Sequence, residues 1–118
     1  MSNGKYELFL GANKQYYFNL KAPNGEIIGA SEGYATKQGA NTGIASVRLN
    51  SPYADRYTYW QSTQNLHWYF HLKATNGEII LRSEGYSSKQ GALRGINSVM
   101  TYAPTAPVID LTPHLASY

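Results

Sequence analysis

The sequence predicts an α+β fold with internal pseudo-symmetry: one antiparallel sheet carrying two helices on one face. Three observations carry that reading. The first is a tandem duplication. Residues 16–52 and 68–104 align without a gap at an offset of 52, with 23 of the 37 positions identical by direct count. The second is a change of period inside each copy, from alternation of apolar and polar residues to apolar positions three and four apart. The third is an Asn-Gly pair between two alternating runs of each copy, Asn24-Gly25 and Asn76-Gly77. That dipeptide is the strongest short signal for a hairpin.

Residues 5–10 set Tyr6, Leu8 and Leu10 against Glu7 and Phe9 and read as a first strand. Gly11-Ala12-Asn13-Lys14 reads as a turn. Residues 16–22 alternate again, with Tyr16, Phe18, Leu20 and Ala22 on one side and Tyr17, Asn19 and Lys21 on the other. A two-residue loop at Asn24-Gly25, both at positive φ, makes Pro23 face Glu26 and returns residues 26–32 as the next strand. That register sets Leu20 against Gly29, Phe18 against Ser31 and Ile27 against Ala22 on the core side. It leaves Ile28 opposite Lys21 on the outer side.

Beyond Gly33-Tyr34, the residues Ala40, Gly43, Ile44 and Val47 fall at i, i+3, i+4 and i+7. They predict a helix over 37–50, with Thr36 as N-cap and Pro52 near its end. Gly39 and Gly43 each cost ~1 kcal/mol of helix propensity against alanine. Gly43 lies on the apolar stripe and allows close approach to the sheet, whereas Gly39 has no packing role visible in the sequence. The second copy repeats the pattern, with strands over 56–61, 66–74 and 78–84. Its helix covers 89–102 behind Ser88, burying Ala92, Gly95, Ile96 and Val99. The loop before its second strand is one residue longer, since Tyr6 aligns with Tyr57 at offset 51 but Phe18 with Phe70 at 52. In the tail, 108–111 reads as a short strand among Pro104, Pro107 and Pro113, and 112–118 as a frayed end.

The totals fit one domain, 1–118, built of two repeats (about 5–52 and 56–104) and a tail, 105–118. A copy of ~50 residues is marginal alone, so the two are expected to share a core. With 42% hydrophobic and 14% charged residues, disorder is not expected. The absence of cysteine excludes disulfide frameworks, thiolate metal sites and cysteine nucleophiles. The start, MSNGKYELF, lacks a charged region followed by a long apolar run, and no stretch approaches the ~18 apolar residues of a membrane span. The expectation is a cytoplasmic protein with no membrane partner. A net charge of +3 is only mildly basic.

Both copies carry NGEII, SEGY, KQGA and GI-x-SV. This pattern resembles the YegP-like family of small bacterial proteins of unknown function and covers nearly all of residues 5–104. The resemblance implies β-β-β-α-β units joined into one antiparallel sheet, with the strand after each helix exchanged between units. Some relatives have one unit and pair as dimers, so a tandem chain is expected to be a monomer, a fused pseudo-dimer. The resemblance brings no activity, substrate, cofactor or catalytic residue.

Candidate chemistry is sparse. Glu26, Glu32, Glu78 and Glu84 are the duplicated carboxylates, but the two in each copy lie about 20 Å apart along a strand. Hairpin-end solubility explains them as well. His67 and His71, four apart on a strand, are about 13 Å from each other, too far to share a metal. No metal site or cofactor is expected. There is no G-x-S-x-G elbow and no P-loop. Lys37 and Lys89 open the helices, where a cation opposes the macrodipole, so an anion pocket with Thr36 or Ser88 stands beside a solvated lysine.

The richest constellation is the sheet face opposite the helices. The register puts Tyr17, Asn19, Lys21 and Ile28 there from the first copy, and Tyr69, His71, Lys73, Ile80 and Arg82 from the second. Aromatics interleaved with cations suit single-stranded nucleic acid, rings for stacking and cations for phosphates. An ordinary wet sheet face also carries Tyr and Lys. The expected class is a non-enzymatic module that binds nucleic acid or another anionic ligand. The alternative is a protein-interaction module using a sheet edge or exposed Ile28, Ile80 and tyrosines, and a small hydrolase or isomerase comes last. The second copy is the more basic, with Arg82 where the first has Ala30. Glu32, Tyr34 and Lys37, with Glu84, Tyr86 and Lys89, form the repeated junction between sheet and helix that folding leaves underexplained.

Overall fold

In a computed structural model that describes residues 4–113, the alternating runs form strands and the apolar stripes form helices. Strands β1 (Lys5–Leu10), β2 (Tyr16–Lys21) and β3 (Ile27–Ala30) lead to helix α1 (Lys37–Asn50). Strands β4 (Tyr57–Gln61), β5 (Trp68–Lys73) and β6 (Ile79–Arg82) lead to α2 (Lys89–Tyr102), and β7 (Val108–Asp110) follows. Both helices begin where the sequence sets them. The Thr36 hydroxyl accepts from the Gly39 N–H and the Ser88 hydroxyl from the Gly91 N–H, a cap worth about 1 kcal/mol. Gly39 gains a reason here, since a Cβ on it would lie 3.2 Å from Thr36 Oγ1.

The strands form one sheet in the order β4-β5-β6-β3-β2-β1-β7. At its centre β3 and β6 run antiparallel and pair Ala30 with Arg82. These positions are related by the repeat offset of 52, so the pseudo-twofold axis passes between them. The strand after each helix lies in the other copy's half: β4 follows α1 and pairs with β5, and β7 follows α2 and pairs with β1. The sheet is not wholly antiparallel, because β7 runs parallel to β1. The place beside β2 is already taken by β1, so β7 adds outside it. Among the described residues, strand β4 has no partner on its outer side.

The side chains of Tyr6, Leu8, Phe18, Leu20, Phe70, Leu72 and Leu81 are buried beneath Ile44 and Val47 of α1 and Val99 of α2. Each first strand is tied to a helix end: the Tyr6 hydroxyl donates to the Ala103 carbonyl (2.6 Å) and the Tyr57 hydroxyl to that of Ser51 (2.7 Å). Burial pushes both phenols well above their ordinary range, so they stay neutral donors. At the axis, Leu81 occupies the space in front of Gly29. A Cβ there would lie 2.6 Å from Leu81 Cγ.

The hairpin differs from the two-residue form. Ala22 N–H donates to Glu26 C=O, and Gly25 N–H to Ala22 C=O, both at 2.9 Å. The loop is therefore three residues, Pro23-Asn24-Gly25, and Gly25 takes positive φ (88°) while Asn24 does not. This is the three-residue solution, with glycine in the left-handed position. The extra loop residue pairs Lys21 with Ile27, and a bulge at Ile28 then restores Leu20 to Gly29. The exposed placement of Ile28 and Ile80 is thereby overturned: both are in the core, at 6% and 7% exposure. An interaction surface built on them does not exist.

The tail begins later than the sequence suggests. Thr112 is buried, its N–H and hydroxyl both donating to the Asp110 carboxylate. Lys37 forms an ion pair with the same carboxylate. These partners hold Asp110 well below the usual carboxyl range. The expectation of fraying over 114–118 concerns residues outside those described.

Candidate ligand-binding face

The face away from the helices carries the inward-bonded positions of β1 and β4 and their neighbours across the sheet. Its two halves, related by the pseudo-twofold, differ in charge. In the first half Lys21 Nζ lies 2.8 Å from a Glu7 carboxylate oxygen and Lys5 Nζ 3.4 Å from the other. The hydrogen bond from Lys21 lowers the Glu7 pKa. Phe9 stacks on Tyr17 (5.7 Å), whose hydroxyl accepts from Asn13. Ala30 holds the axis position. The predicted cation Lys21 is thus already paired.

In the second half Thr58 aligns with Glu7 and Arg82 with Ala30. Among the described residues no carboxylate pairs with Lys73 or Arg82. Arg82 stands directly opposite His71, and Lys73 follows two positions along β5. Trp60 stacks on Tyr69 (5.9 Å) and meets His71 edge-on (4.5 Å). The structure so brings Tyr69, His71, Lys73 and Arg82 together and sets Tyr17 and Lys21 apart. Trp60 was missed. Its signal lay in the alternation of YTYWQ, where Tyr57 and Tyr59 face the helices and Trp60 must face away.

Burial, then the charges of Arg82 and Lys73, lowers the His71 pKa. A histidine depressed on folding contributes stability that is present above its unfolded pKa of about 6.5 and is lost as pH falls through the folded value. Urea midpoints are expected to fall between pH 7.5 and 5, and His71→Gln is expected to shrink that difference. An unchanged pH dependence in His71→Gln would refute the assignment.

The sheet–helix junction is accounted for largely by folding. Tyr34 pairs with Tyr16 in an isolated bridge and Tyr86 with Trp68. Their rings stack on Phe18 and Phe70, both at 6.2 Å. Each hydroxyl presses on a helix glycine: a Cβ on Gly43 would lie 2.7 Å from Tyr34 Cζ, and one on Gly95 the same distance from Tyr86 Cζ. The Ser31 hydroxyl accepts from Phe18 N–H and donates to Glu32 C=O, and Ser83 does likewise with Phe70 and Glu84. Glutamates of both copies act on each of these tyrosines. Desolvation raises the Tyr34 pKa, helped by Glu32 and Glu78, and raises that of Tyr86, helped by Glu84 and Glu26. The glutamates themselves stay exposed. Lys37 is paired with Asp110, whereas Lys89 lies over the Tyr59 ring, 5.6 Å from its centroid.

One family model, described as a domain of unknown function (DUF1508), matches the chain twice, over residues 12–57 and 64–110. The chain belongs to the DUF1508 family. The second match runs through β5, β6 and α2 to the end of β7, whereas the first runs through β2, β3 and α1 and stops at Tyr57, the first residue of β4. Strand β1 and nearly all of β4 lie outside both matches. The chain is 49% identical over 112 residues to the UPF0339 protein YegP of Yersinia pestis, covering 95% of this chain and 99% of that one. It is 43% identical over 109 residues to YegP of Escherichia coli (92% and 98%). The solution structure of the latter superposes with a TM-score of 0.90 at 41% identity, over 98% of each chain. That of a UPF0339 protein of Shewanella oneidensis gives 0.87 at 46% identity (93% and 92%). Among the described residues of this DUF1508 protein, no helix is long and apolar enough to cross a membrane.

Proposed function

We propose that the protein binds single-stranded nucleic acid on the second-copy half of the open sheet face. The observation that carries this reading is the asymmetry. Where the first half neutralises Lys21 with Glu7, the second leaves Lys73 and Arg82 without a carboxylate among the described residues, beside a stacked Trp60–Tyr69 pair. Half-exposed rings present π-faces for bases, and the cations stand at strand spacing to follow a phosphate backbone. His71 adds a third charge in acid. A strand of nucleic acid crossing this half would run over β4, β5 and β6 and leave the helices untouched.

The test is anisotropy of labelled single-stranded RNA and DNA dodecamers, with Trp60 emission as a second readout. If Lys73 and Arg82 each neutralise one phosphate, log K should fall with log salt at a slope of about −1.4, twice the ~0.7 per contact of single strands. Trp60→Ala should weaken binding by roughly 5- to 150-fold, the span of one base–aromatic stack. The pair Lys73→Ala/Arg82→Ala should flatten the salt slope, and Lys21→Ala should not. Salt-insensitive binding, or equal losses from Lys21→Ala and Lys73→Ala, would sink the proposal.

A further inference from the structure

The two outer edges of the pseudo-symmetric sheet are treated differently, and the difference specifies a ligand. On one side β1 is covered by β7 in parallel register, Tyr6 beside Val108 and Leu8 beside Asp110. The Tyr6 N–H donates to Pro107 C=O and the Leu8 C=O accepts from Leu111 N–H, both at 2.8 Å. Asp110 of that strand is paired with Lys37 at the start of α1. On the other side β4 stands in the place of β1, with Tyr57 for Tyr6 and Tyr59 for Leu8. Among the described residues no strand covers it.

Three features mark the bare edge. The Tyr57 N–H is taken by Ala54 C=O, in the role that Pro107 C=O plays for Tyr6. By the alternation of the β4–β5 ladder, the Tyr57 carbonyl and both backbone groups of Tyr59 point outward. Next, a recess of about 310 Å³ opens between β4 and α2, lined by Ala54, Tyr57, Tyr59, Leu93 and Ile96. Leu8 is 1% exposed under β7, but its counterpart Tyr59 is 40% exposed. Last, Lys89 is the repeat equivalent of Lys37, and no described carboxylate pairs with it.

We propose that the β4 edge binds an extended segment of another polypeptide, added as an eighth strand parallel to β4, with an apolar residue two positions before an aspartate or glutamate. The apolar side chain fills the recess, the carboxylate reaches Lys89, and the segment's backbone takes the free groups of Tyr57 and Tyr59. Addition of a strand to an open edge draws affinity from main-chain hydrogen bonds and specificity from alternate side chains. The occupant's chemistry is read from β7, which satisfies the same edge on the related half with Val108 and Asp110. The proposal concerns the sheet edge and stands independently of nucleic-acid binding on the face.

The probe is an octapeptide with the sequence of residues 105–112, TAPVIDLT, titrated into the intact isotope-labelled protein. The expected result is chemical-shift change and slowed amide exchange at Tyr59 and Gln61. Affinity should fall about fivefold when the peptide aspartate becomes asparagine or when Lys89→Ala is made, and no further when both are combined. No change at the β4 amides overturns the proposal, as does binding indifferent to both substitutions. Changes centred on Tyr6 and Leu8 would mean that the peptide merely displaces β7, which also overturns it. A concentration-dependent dimer that protects the same amides without peptide would assign the edge to a second copy and refute the parallel acidic segment.

Discussion

Replacing Leu81 by alanine is expected to lower the unfolding free energy by about 2–5 kcal/mol, read from urea midpoints at constant m. Leu81 is fully buried at the pseudo-twofold axis, and its repeat equivalent is Gly29, which has no side chain to relax into the vacated space. One leucine so fills the volume that two symmetric residues would contest. The converse substitution, Gly29→Leu, should overpack the axis and also destabilise strongly. Combining Gly29→Leu with Leu81→Gly moves the single leucine to the mirror position and should recover much of the loss. A cost below 1 kcal/mol for Leu81→Ala, or no recovery in the swapped pair, would show that the axis is not filled in this way.

Gly95→Ala should cost about 1–3 kcal/mol by overpacking, although alanine gains ~1 kcal/mol of helix propensity over glycine. The reason is Tyr86, whose ring stacks on Phe70 and whose hydroxyl end lies against the helix backbone at Gly95. In a Tyr86→Leu background that ring end is gone, so Gly95→Ala should become neutral or stabilising. The reversal of sign is the informative outcome. If alanine costs the same in both backgrounds, helix–sheet approach at Gly95 is limited by something other than the tyrosine. The equivalent cycle at Gly43 and Tyr34 should behave alike.

The helices were legible to the residue because several local signals agree there. A capping hydroxyl, an apolar stripe and a closing proline each point to the same bounds. The hairpin was legible as a hairpin but not in register. Asn-Gly fits both a two-residue loop and the last two positions of a three-residue one, and only the backbone bonds of Ala22 decide between them. That single residue moved Ile28 and Ile80 from the wet face to the core, because side chains in a strand alternate with period two. Tyr69, His71, Lys73 and Arg82 still share the open face, since the bulge restores the register before Leu20 and Leu72. What the sequence hid was long-range. Neither the salt bridge of Glu7 to Lys21 nor that of Lys37 to Asp110 can be seen without knowing which strands are neighbours.

The pairing of β1 with β7 has a consequence for how the chain is made. Strand β1 emerges early, yet the groups that satisfy its outer edge and the Tyr6 hydroxyl come from residues 103–111, almost a whole chain length later. Throughout synthesis β1 presents an uncovered edge of the kind that invites wrong partners. Only when the final segment arrives, with its prolines and Asp110, is that edge sealed. A chain ending near residue 103 would hold both helices and six strands, and would expose a bare edge at each end of its sheet.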